Sequence, residues 1–193
     1  MNFNSLVKHI KSQGCRVTIY SKKERIGGAA GLFYEDPPHI KMAVLKVSKR
    51  DKVSVLLHEY GHFCQLKDGF ANYLDGICWP HNVLDEWVER KVELTEREIQ
   101  MVRNTMLTVE HDAEMRAIKL GEELKPDDFD AEYHLSEAQS YMAGIKWCFK
   151  HRNDFKKRPS WKHYPAKRLT TAELFAPLTD RENKILRKIK AKH

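Results

Sequence analysis

The chain has 193 residues, 41% of them hydrophobic and 10% aromatic, with a formal net charge of +7. That is enough apolar material for one core but cramped for two full domains, so a single globular domain over 1–180 with a basic helix or tail at 181–193 is expected. No run approaches the roughly 18–20 apolar residues that span a bilayer, and the opening MNFNSLVKHIKSQGC lacks the apolar stretch of a secretory signal, so a cytoplasmic protein away from membranes is expected. Cys15, Cys64, Cys78 and Cys148 form no CxxC pair, which argues against a disulfide framework or a cysteine zinc finger and fits a reducing compartment. The positive charge gathers at 150–168 and 182–193. Such stretches can meet an acidic partner or serve as a solvated tail that maintains solubility, and no DNA- or RNA-binding signature accompanies them.

Taken in chain order, Phe3, Leu6, Val7 and Ile10 form one apolar stripe before Gly14, which predicts a short amphipathic helix. CRVTIY (15–20) alternates as a strand does, IGGAAG reads as a turn, and HIKMAVLKV (39–47) reads as a second strand after Pro37-Pro38. From Ser48 or Asp51, either one a good N-cap, the pattern is helical to Lys67, with Asp68-Gly69 as its end. GICWPHN then breaks the chain, and VLDEWVERKV (83–92) predicts a short helix. The longest predicted helix starts at Thr95, with Glu98 completing a capping box, and runs to Lys125-Pro126. Another follows over 131–152, then an irregular Pro-containing stretch and a short basic helix from about Asp180.

The chemistry concentrates in VLLHEYGHFCQ (55–65). Residues four apart lie one turn apart on a helix, so His58 and His62 can aim ring nitrogens at one point about 2.0–2.1 Å from each, the reach of a zinc ligand. Glu59 is rotated about 100° from His58, close enough to act as a base on water without itself binding the metal. A catalytic zinc also needs a third protein ligand and an open position. Asp68 would serve only if the chain turned at 65, where this sequence has Gln65 in place of a glycine. In TVEHDAEMRA, Glu110 and Glu114 again sit one turn apart; either carboxylate can bind the metal while the other accepts the free N–H of a ligating histidine. Solvent-facing pairing with Arg103, Arg116 or Lys119 is the alternative for both.

HEYGH with a distal ExxxE resembles the gluzincin arm of the zincin metallopeptidases. The order helix, strand, strand, HExGH helix and distal helix is similar to that of ImmA/IrrE-type minimal zincins, and HEYGHFCQ, VEHDAEMRA and IKWCFKHR together resemble zincin-like proteins of bacteriophages. The resemblance implies an α+β fold: a mainly helical zincin-like minimal metalloprotease domain with a small N-terminal β-sheet packed on the HExxH helix. It further implies Zn2+ as cofactor, His58, His62 and Glu110 as ligands, Glu114 as the partner of His58, and Glu59 as general base. The distal pair departs from the ExxxD of thermolysin, so the roles of Glu110 and Glu114 are open to exchange. The implied activity is hydrolysis of a peptide or protein substrate, in the host cytoplasm if the chain is phage-encoded. Tyr133, His134 and Tyr141 are the candidate donors to the transition state, and HIKMAV the expected edge strand for an extended peptide. The alternative is a non-catalytic basic protein on the same scaffold that binds a protein or nucleic acid.

Overall fold

A computed structural model describes residues 1–26, 29–70, 78–152, 164, 168–180 and 182, with the side chains of 78–82 left aside. The fold is α+β and mainly helical: α1 (Phe3–Ser12), β1 (Arg16–Tyr20), β2 (Gly31–Tyr34), β3 (His39–Ala43), α2 (Lys49–Lys67), α3 (Cys78–Val88), α4 (Glu96–Leu124), α5 (Ala131–His151) and α6 (Thr171–Phe175). It divides into two compact units, one of Met1–Tyr73 with Asp112–Ala131, the other of Leu74–His111 with Glu132–His193. Helix α4 runs unbroken from the second into the first.

In the first unit, Asn2 caps α1 by accepting the Ser5 N–H, and Gly14, at φ +96°, ends it in a conformation that L side chains rarely adopt. Leu6 and Ile10 are fully buried. The sheet has the order β1-β3-β2, with β1 parallel to β3 (Arg16 opposite His39) and β2 antiparallel to it (Gly31 opposite Met42). Strand β3 is therefore central. This corrects the expectation that HIKMAV forms an edge: β1 takes one of its sides and β2, a strand hidden in the glycine-rich GLFY, takes the other. Helix α2 starts where the Ser48 hydroxyl accepts the Asp51 N–H. Its apolar stripe, Val53, Leu56, Leu57, Tyr60 and Phe63, closes the core with Leu6, Ile10, Val17, Ile40, Met42 and Ala117. The sheet packs on this helix, with Phe33 of β2 meeting Phe63 edge-on.

The second unit has its own core, in which Trp87 of α3, Val102, Met106 and Leu107 of α4, Met142, Ile145 and Phe149 of α5, and Leu174 of α6 pack together. Thr95 and Glu98 start α4 with reciprocal bonds: the Thr95 N–H donates to Glu98 Oε2 (2.7 Å) and the Glu98 N–H to Thr95 Oγ1 (3.3 Å). Helix α6 lies in the stretch expected to be irregular. It is a single turn and a half, too short for a periodic signal, and a Thr170/Glu173 capping box defines it. The same reciprocal pairing joins Thr179 and Glu182 at the start of the expected terminal helix; the rest of that helix, and most of the basic stretches at 150–168 and 182–193, lie outside the described residues.

Candidate metal centre

Two helix stripes build the centre. On α2 the apolar stripe faces the core, and a second stripe of His58, His62 and Gln65 runs along a neighbouring face at helical spacing. Gly61 lies between them, and a Cβ there would come within 2.4 Å of the Ala113 carbonyl oxygen. The missing side chain lets the main chain of α4 lie directly against α2, which brings the Glu114 turn to His58.

His58 Nδ1 stands 3.2 Å from Glu114 Oε1, and Glu114 is only 6% exposed. The carboxylate beside Nδ1 favours the ring form that carries its proton there, which leaves Nε2 a lone pair. His62 Nδ1 is 2.8 Å from Gln65 Oε1, and the two Nε2 atoms face each other at 3.2 Å, with the rings edge-on. Two nitrogens bound to one tetrahedral zinc at about 2.0–2.1 Å stand about 3.3 Å apart, so the observed spacing suits a shared cation. Glu110, one turn before Glu114 along α4 and 3% exposed, completes the set: ligand atoms of His58, His62 and Glu110 all lie within 4.8 Å of one another. This group can hold a metal ion. Its donor set of two imidazoles and a carboxylate fits zinc, and also iron, cobalt or manganese.

Glu59 is buried (6% exposed) on the side of α2 that meets strand β2. A Cβ on Gly31 would stand 2.7 Å from Glu59 Oε1 and 2.6 Å from Val55 Cγ1, so the strand leaves that carboxylate its room by having no side chain. Asp68 is not part of the centre. Helix α2 continues through 65 to Lys67, and the Asp68 carboxylate pairs with Arg116. Tyr133, His134 and Tyr141 lie on α5 in the second unit, the first two buried and Tyr141 half-buried.

Two residues hydrogen-bonded behind His62 carry no motif signal in the sequence. Gln65 counts there only as the absence of a glycine turn, although its place three residues after His62 sets it on the same helix face. Asp112, in VEHDAEM, stands between the two glutamates that drew the attention. No known protein-family model matches the chain, and neither the curated proteins nor the solved structures compared with it include a match.

Proposed function

We propose that the chain is a zinc-dependent metallopeptidase of the gluzincin type, with His58, His62 and Glu110 holding the metal and Glu59 as general base. The observation that carries this reading is the convergence of the two Nε2 atoms, each ring turned by an acceptor behind its Nδ1, beside a buried carboxylate one turn from Glu114. With an oxygen near each Nδ1, the two Nε2 atoms converge at 3.2 Å on the space that one cation would occupy. A bound zinc ion supplies Lewis acidity, which polarises a carbonyl and makes water nucleophilic near neutral pH.

The remaining steps belong to the chain. Glu59 takes a proton from the attacking water and returns it to the leaving amine, one group serving as base and then as acid. Its burial between α2 and β2 keeps bulk water from competing for the carboxylate. Strand β2 ends the sheet, so an extended substrate that added to its open side would pass Gly31 and the Glu59 carboxylate.

Glu59 separates catalysis from metal binding. New peptide N-termini are to be profiled in a proteome treated with zinc-loaded wild type and with Glu59→Gln. A defined set of new termini with wild type, reduced by a factor on the order of 100 or more with Glu59→Gln, is expected. Equal yields from both proteins would remove the hydrolase assignment.

A further inference from the structure

A hydrogen-bond relay behind His62 starts at the buried Gln65 and ends on a partly exposed arginine. Gln65 is fully buried; its Oε1 faces His62 Nδ1 at 2.8 Å, and its Nε2 donates to Asp112 Oδ2 at 2.9 Å. Asp112 Oδ2 also accepts from Arg116 Nε, and Arg116 Nη1 binds Asp68 at the C-terminal cap of α2. The direction of every bond follows from the far end. Arginine only donates, so the Asp112 carboxylate accepts; a carboxylate so engaged needs a donor from Gln65, which turns the amide NH2 toward it. Gln65 Oε1 is left for His62, and that oxygen can bond only a protonated Nδ1.

We infer that Gln65, oriented by Asp112 and Arg116, is the positioning residue that sets the His62 tautomer and so keeps its Nε2 lone pair available for metal. Glu114 does this for His58 from α4, whereas for His62 the chain uses a neutral amide whose polarity is dictated two residues further away. A direct carboxylate would add negative charge to a centre that already contains Glu59, Glu110 and Glu114. The amide passes on the orientation without the charge. The link to metal affinity rests on the metallopeptidase reading; the tautomer does not.

Gln65→Leu removes both bonds at similar volume. Long-range 1H–15N NMR on the metal-free proteins, recorded across pH, distinguishes the two neutral tautomers from the protonated ring. His62 is expected as the Nδ1–H form in wild type and as a mixture with substantial Nε2–H in Gln65→Leu. Zinc affinity from chelator competition is expected to fall 10–100-fold, about the effect of losing a partner behind a metal ligand. Gln65→Glu sets two carboxylates face to face and should weaken zinc binding as well. Asp112→Ala leaves Gln65 in place but removes the carboxylate that turns its amide, so the same tautomer mixture and a similar loss of affinity are expected there. This variant keeps the test open if Gln65→Leu does not fold. An unchanged His62 tautomer in Gln65→Leu or in Asp112→Ala overturns the inference. A tautomer shift in a protein whose wild type binds no zinc supports the relay and overturns the metallopeptidase reading.

Discussion

At Gly31 the absent side chain matters more than most that are present. Adding a methyl group there drives it into Val55 and into the end of the Glu59 carboxylate, and the flexible carboxylate yields more readily than the strand. On the proposed mechanism Gly31→Ala is expected to retain metal and fold while kcat/KM falls by a factor on the order of 10–100, because the Glu59 carboxylate is displaced from the position that mechanism assigns to it. Metal analysis and a thermal melt alongside the rate measurement check both halves. Cys15 shows a different residue effect, since burial pushes its thiol up to about 11. A raised folded-state value stabilises the fold fully below the unfolded thiol's 9.0 and loses that contribution as pH rises toward 11. Urea unfolding at pH 8 and pH 10.5 should show a fall in stability that is smaller in Cys15→Ala. His58, His62, Glu110 and Glu114 were legible as residues because one helical turn fixes each pair locally. Gln65 and Asp112 were not, because they meet only across two helices 47 positions apart in sequence.

The crossing of α2 and α4 is the element-scale decision. Gly61 and Ala113 touch without side chains between them, and the Ala113 carbonyl is main chain, so it cannot move aside cheaply. Gly61→Ala is expected to destabilise the protein by about 3 kcal/mol, as overpacking does, and to weaken metal binding by separating His58 from Glu114; denaturant unfolding and zinc competition measure the two effects. The helices themselves were readable from caps and periodicity: Ser48 starts α2 and the Thr95/Glu98 box starts α4, each by bonds between residues three apart. Strand order was not. HIKMAV has the apolar content of a strand at either position, and only the pairing of β1 and β2 on its two sides makes it central. β2 is four residues long and begins at a glycine, which conceals it among turn signals.

For the molecule as a whole, α1, β1, β3, α2, α4 and α5 carry their own local patterns, whereas a mainly helical α+β fold with a small N-terminal sheet on the HExxH helix is what the resemblance implies. The division of the described apolar residues into separate clusters is not legible in the sequence, since composition fixes how much can be buried and not how it is partitioned. Among the described residues no helix is long and apolar enough to cross a membrane. His58, His62 and Glu110 are proposed to hold one metal ion, with Glu114 behind His58 and Glu59 as the base. Metal content by mass spectrometry on wild type, His58→Ala, Glu110→Gln and Glu59→Gln is the sharpest check. About one zinc per chain is expected in wild type and Glu59→Gln, and little or none in the other two, since each of those loses one of three protein ligands. A wild type that takes up no metal after zinc reconstitution, or a His58→Ala that binds it as well as wild type, would contradict that assignment.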